Sequence, residues 1–162
     1  MKTLKENEET GCCKRFDPVP WQDKEISFRD KLFVKDHVIS FFHIPLNYGK
    51  VMVKNIEKIE RAGAKAVFPI MLSDENARFG SDIYIAVEKE VPDAEMVRVP
   101  GIFLSKVFEG PFRNISKWEE EMKAFVAGRG KTIKKMLFFY PTCPACTKAY
   151  GKNYVVLLAK VE

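Results

Sequence analysis

The sequence predicts an α+β fold of tandem strand-helix-strand-strand (βαββ) repeats, with an antiparallel sheet, two long helices on one face and a pseudo-twofold relation between the halves. Three observations carry this expectation. Phe42-His43-Ile44-Pro45 and Phe108-Glu109-Gly110-Pro111, 66 positions apart, each close an apolar strand-like run and open an amphipathic helix. The same offset superposes Met52 on Trp118, Ile56 on Met122 and Ile59 on Phe125, so both helices carry an apolar stripe. The order strand, helix, strand, strand then recurs in each half. Paired halves of this kind leave a cleft at their junction, where a small molecule binds.

The first 20 or so residues are polar and end in Phe16-Asp17-Pro18-Val19-Pro20-Trp21, whose prolines neither extend a helix nor pair within a sheet. Residues 1–36 are therefore expected to form a tail and a hairpin, the latter from the loose alternation between Glu25 and Val34, packed on one domain spanning 37–162. Repeat one, 37–91, starts with the β-branched and aromatic run Val38 to Phe42. Asn47 caps a helix whose apolar positions are Val51, Met52, Ile56 and Ile59, and Gly63 supplies a left-handed stop. Val67 to Leu72 is a strand, Ser73 to Ser81 a polar loop, and Asp82 to Glu88 a strand with one covered face. Repeat two, 95–162, has a strand-like stretch from Val97 to Phe108 interrupted at Pro100-Gly101. Asn114 or Ser116 caps the second helix, Ser116-Lys117-Trp118-Glu119 having capping-box spacing, and Ile115, Trp118, Met122 and Phe125 form its stripe. Gly128 and Gly130 end it, and Lys135 to Tyr140 and Tyr154 to Ala159 are the last strands. Gly128-Arg129-Gly130-Lys131-Thr132 follows a helix instead of opening one, so it is a helix stop and not a phosphate loop.

Composition narrows the function classes. At 162 residues, 46% hydrophobic and 30% charged, the chain has the makings of one domain with its own core. The net charge of +5 comes from 27 basic residues interspersed with 22 acids, which argues against a nucleic-acid face. No apolar run approaches the ~20 residues that cross a bilayer, and the N-terminal residues lack a secretory core. A cytoplasmic protein with no membrane partner is expected.

The tandem βαββ order with the Gly110-Pro111-Phe112 turn at a helix start resembles the GyrI-like small-molecule-binding domain, a module also found as the effector domain of multidrug-sensing transcription activators. The resemblance covers 38–162 and implies a concave face between repeats that takes flat, often cationic or aromatic compounds; one branch of the family hydrolyses DNA-alkylating natural products. Two departures stand out. Tyr140-Pro141-Thr142-Cys143-Pro144-Ala145-Cys146 replaces a Tyr-x-Asp-Pro type segment, and 150–161 lacks an evident counterpart of the glutamate that neutralises cationic drugs in the effector domains. No helix-turn-helix precedes the module, so a stand-alone form is expected.

Flat ligands need aromatic walls, and Tyr48, Tyr84, Phe112, Trp118 and Tyr140 are placed by the repeat to line or border the groove. Trp118 lies squarely on a helix stripe, where core packing outweighs ligand contact; the hydroxyls of Tyr48 and Tyr84 want water or a partner. Hydrolysis of an electrophile needs a proton carrier beside such a wall. Glu109 adjoins the Gly-Pro turn, Glu88 shares a strand face with Tyr84 by the period-two rule, and His43 holds the position in repeat one that Glu109 holds in repeat two. Surface roles for the glutamates and a turn-capping role for the histidine are the commoner alternatives. No spacing signals a Ser-His-Asp or Cys-His arrangement.

Cys143 and Cys146 have the two-residue separation that brings two thiolates to one tetrahedral metal, and Cys12-Cys13 would complete a structural zinc that pins the tail to the second repeat. Unliganded thiols are the equal alternative, and thiol redox chemistry is disfavoured because the pair lies between strands. No organic cofactor is expected. Three functions follow: a binder of a small amphipathic or aromatic molecule, a hydrolase of an electrophilic natural product in the same cleft, or a zinc-stabilised interaction protein. The expected partners are a small-molecule ligand and, as an oligomeric option, a second copy in a homodimer.

Overall fold

The computed structural model describes residues 16–29, 31–41, 44–66, 70–77, 79–141 and 148–162. Its elements are β1 (Lys24–Ser27), β2 (Leu32–Phe41), β3 (Ile44–Pro45), α1 (Tyr48–Arg61), β4 (Met71–Ala77), β5 (Gly80–Val87), β6 (Glu95–Arg98), β7 (Ile102–Glu109), α2 (Ile115–Gly128), β8 (Lys135–Phe139) and β9 (Tyr154–Lys160). They fall into a central unit, Ser27–Ile102, and a terminal unit that joins the chain up to Ile26 with Phe103–Glu162. Among the described residues no helix is long and apolar enough to cross a membrane.

Each unit contains one βαββ set, and the strand neighbours run β4-β5-β2 in the central unit and β8-β9-β7 in the terminal one. The last strand of each set thus lies between the first two, with the pairings of β5 and β9 antiparallel on both sides. The outer edge of β2 is covered by β6 at Leu32 to Lys35 and by β3 at Ser40 and Phe41. β1 covers the outer edge of β7. The class is the α+β antiparallel one that the sequence predicts.

Three local readings need correction. β1 and β2 do not form the expected hairpin: β1 neighbours β7, while β2 runs unbroken from Leu32 and pairs with β5. Alternation reveals a strand but not its partner. The stretch from Ser73, expected as loop, continues β4 to Ala77 with a register shift after Asp74, because ladder bonds use the backbone and tolerate polar side chains. The helices correspond at an offset of 67, not 66: the starts Tyr48 and Ile115 and the stops Gly63 and Gly130 share that spacing. The buried stripes are accordingly Val51, Asn55 and Ile59 on α1 and Trp118, Met122 and Val126 on α2, while Ile56 is exposed.

The glycine stops are well formed. After α1, Gly63 has φ 62°, its N–H donates to the Glu60 carbonyl and that of Ala64 to Ile59. After α2, Gly130 has φ 70°, with its N–H on Ala127 and that of Lys131 on Val126. Both are Schellman motifs, which satisfy the last carbonyls of each helix. At the starts, Asn47 and Asn114 hold the cap positions without a side-chain cap bond. Asn47 Oδ1 instead accepts from the Ile39 N–H at 2.7 Å, tying α1 to β2, and Ser116 lies inside α2, so the capping box does not form.

In the central unit α1 lies on the β2-β5 sheet, where Val38, Val51 and Ile83 make one cluster and Val34, Ile59, Ala64, Val87 and Val91 the next. Asp36 sits on the same face of β2, accepting from Asn55 at 2.8 Å and paired with Lys54 at 2.9 Å. In the terminal unit Trp118 stacks on Phe108 at 5.6 Å, which puts α2 over that face of β7. The opposite face is covered by the stretch before β1: Trp21 and Phe16 meet Phe139 at 5.1 and 6.0 Å, and Phe16 meets Tyr154 at 5.4 Å. Phe16 and Trp21 thus pack on this face of the terminal sheet. Covered on both faces, β9 is buried from Val155 through Ala159, which is why it reads as a continuous apolar run.

The Gly-Pro turn before α2 is conformationally demanding. Gly110 has φ 143°, and a Cβ there would lie 3.3 Å from Trp118 Cζ2. Its N–H donates to the Asn153 carbonyl at 3.0 Å and its carbonyl accepts from Asn153 Nδ2 at 2.7 Å. Gly110→Ala is expected to destabilise the fold by about 1 kcal/mol or more. Urea unfolding at neutral pH measures this, and an unchanged midpoint would show that the turn tolerates a side chain.

Candidate functional site

Side chains alternate across a strand, so the positions of β2 and β5 that meet α1 fix which ones point away. Val34, Asp36, Val38 and Ile83 face α1; Lys35, His37, Asp82 and Tyr84 are on the other side, joined through the register by Leu72 and Asp74 of β4. Two cross-strand rows result, Lys35-Tyr84-Leu72 and His37-Asp82-Asp74.

The second row holds the most chemically capable arrangement of this face. His37 Nδ1 is 3.0 Å from Asp82 Oδ1, and Lys35 Nζ is 3.9 Å from Asp82 Oδ2. Lys35 also stands over the Tyr84 ring, 6.0 Å from its centroid. The His37 side chain is 56% exposed, whereas Tyr84 is buried at 8%. Gly80 makes room for the imidazole: a Cβ at residue 80 would come within 2.3 Å of Nε2 and 2.4 Å of Cε1. A carboxylate bonded to Nδ1 selects the tautomer with its proton on Nδ1, which leaves Nε2 as the acceptor nitrogen.

Within the central unit, Tyr48 and Tyr84 do not share a face of the sheet. Tyr48 Oη donates to Met71 Sδ at 3.7 Å, and Met71 is next to Leu72 on β4, so Tyr48 and Tyr84 stand on opposite faces of the central sheet. Phe112 and Tyr140 do meet, edge to face at 5.7 Å, and Tyr140 stacks on Phe138 at 6.3 Å. This pair is partly exposed beside the start of α2, on its side of the terminal sheet, whereas Trp118 is 5% exposed and belongs to the core. Glu109 is exposed at the end of β7, opposite Tyr154. Glu88 is exposed just past β5, its N–H bonded to the Ala64 carbonyl. His43 and the four cysteines, Cys12, Cys13, Cys143 and Cys146, lie outside the described residues.

Sequence reasoning passed over His37, Asp82 and Lys35. His37 and Asp82 are 45 positions apart, so no local spacing joins them; only the β2-β5 register does. The available signal was Gly80 at the head of an otherwise β-forming run, since a strand glycine marks close approach of another group.

A family model described as "Bacterial hydrolase" matches residues 3–161. No curated protein sequence matches the chain. Among solved structures, the EcmrR C-terminal domain is similar at 12% identity and a TM-score of 0.66, covering 86% of this chain and 94% of that one. An uncharacterized conserved protein from Listeria innocua is similar at 13% identity and a TM-score of 0.65, covering 98% of both chains. A hydrolase from Listeria innocua is similar at 15% identity and a TM-score of 0.60, covering 98% of this chain and 97% of that one. The chain belongs to the bacterial hydrolase family, and its fold is that of the GyrI-like domains.

Proposed function

We propose that the protein binds a small amphipathic or aromatic molecule, with the face of the β4-β5-β2 sheet remote from α1 as its contact surface. One observation carries the reading: on that face the partly exposed Lys35, His37 and Asp82 converge beside the buried Tyr84 and Leu72. A few converging polar groups on an apolar background are what a small-molecule site requires. The GyrI-like fold supports the same class of ligand. A second reading, hydrolysis of an electrophilic natural product at this face, is favoured by the family match across residues 3–161.

Titration with 8-anilinonaphthalene-1-sulfonate tests the binding reading. Saturable emission is expected, weakened about tenfold by Lys35→Glu, which reverses the charge facing the anionic probe. Unsaturable emission, or affinity indifferent to Lys35→Glu, would place the ligand elsewhere.

We also propose that Cys12, Cys13, Cys143 and Cys146 hold a structural zinc, a reading supported by the Cys-x-x-Cys spacing. Elemental analysis of purified protein is expected to find stoichiometric zinc. Metal-free protein of undiminished stability would remove the site.

A further inference from the structure

We propose that His37 is the general base of the hydrolytic reaction, oriented by Asp82 and seated in the space left by Gly80; this rests on the hydrolase reading of the same face. Four features support it. The Nδ1 contact with Asp82 at 3.0 Å fixes the ring and leaves Nε2 to accept a proton. More than half of the His37 side chain is exposed. Gly80 is where any other residue would strike the ring edge carrying Nε2. Lys35, an ion-pair partner of Asp82 two residues from His37 on the same face of β2, supplies a cation for negative charge that develops on the substrate.

Isolated exposed ion pairs across two strands are common and contribute little to stability, so His37 and Asp82 alone would not carry the inference. The vacancy at residue 80 does. Gly80 opens β5, and the group that fills the space above it is the His37 imidazole, whose Nδ1 is held by Asp82. The charged groups around that ring are Lys35 on its own strand, Asp82 on β5 and Asp74 in the same row on β4.

The substrate class is a small molecule with an electrophilic carbon bearing a heteroatom leaving group, such as an ester or a strained cyclic ether. Water forms the new carbon–oxygen bond, and its proton passes to His37 Nε2. The bond from that carbon to the heteroatom breaks with its electron pair on the heteroatom, which then takes the proton from the imidazolium. Water and substrate account for every atom of the product, and no oxidant or metal enters the balance.

The test uses the full chain with 4-nitrophenyl acetate and styrene oxide as probes. His37→Ala is expected to lower kcat about 100-fold, with activity recovered by imidazole added to the buffer, because a general base can be replaced from solution. Gly80→Ala and Asp82→Asn are expected to lower kcat about tenfold while the fold is kept, since each misplaces the ring without removing it. Nitrogen NMR of the imidazole supplies a readout independent of turnover: the proton sits on Nδ1 in the native protein and loses that preference in both variants. Undiminished turnover in His37→Ala, or a loss that imidazole does not restore, overturns the base role and leaves the hydrolase reading standing. A native protein that hydrolyses neither probe overturns the hydrolase reading and the base role with it.

Discussion

Trp118→Ala is expected to lower the unfolding free energy by about 4 kcal/mol, the range of large aromatic truncations in a core. The indole is 5% exposed and stacks on Phe108 with an interplanar angle of 20°. Along α2 it shares its buried stripe with Met122 and Val126, both essentially inaccessible, so the void left by alanine has rigid walls and collapses poorly. The same side chain flanks the Gly110 turn, where an added Cβ would lie 3.3 Å from its Cζ2. Phe112→Ala removes a ring that is 43% exposed and is expected to cost well under half as much. Urea unfolding followed by far-ultraviolet circular dichroism measures both, because it does not depend on tryptophan emission. If Trp118→Ala keeps its stability and instead loses probe binding, the indole is a ligand wall and the packing account fails.

That comparison marks where the sequence was legible. Gly63 and Gly130 announce both helix ends because few residues besides glycine adopt the left-handed conformation there, and both stops form as expected. Val51, Ile59, Trp118 and Met122 are buried as the stripes predict, whereas the offset between the helices is 67 because the motif that aligns the halves lies before them and nothing local fixes how many residues separate turn from helix. Asn55 occupies a core position of α1 at 2% exposure, which hydrophobicity alone would never assign to it. Its reason is a partner on another strand, Asp36. The same holds for the candidate site. Tyr84 was recognisable as a ring on an alternating strand, but His37, Asp82 and Gly80 acquire a joint meaning only through the β2-β5 register, and register is a property of the folded sheet. Tyr48 and Tyr84 were grouped by repeat position, yet strand parity puts them on opposite faces.

Asp36→Ala is expected to destabilise the fold by about 2 to 3 kcal/mol at neutral pH, and the difference is expected to shrink in acid to what the lost Asn55 bond contributes. Burial of the Asp36 carboxylate opposes ionisation, but hydrogen bonds from Lys54, Asn55 and the His37 N–H outweigh it and lower the pKa from 3.8 to about 2. Only 24% of this side chain is exposed, so solvent screens the interactions incompletely. A carboxylate whose pKa is lower in the folded than in the unfolded chain stabilises the fold fully above the unfolded value; the contribution is lost as pH falls from about 4 towards 2. Alanine removes this term and also leaves Asn55 Nδ2, buried in α1, with the Val51 carbonyl as its one remaining bond among the described residues. Asp36→Asn keeps an acceptor for Asn55 but not the charge opposite Lys54, so a smaller loss is expected, with the same acid dependence abolished. Unfolding free energies of the three proteins at pH 7, 4 and 2 separate the contributions. A gap between native and Asp36→Ala protein that stays constant across that range would show that Asp36 holds α1 to β2 as a hydrogen-bond acceptor and not through its charge.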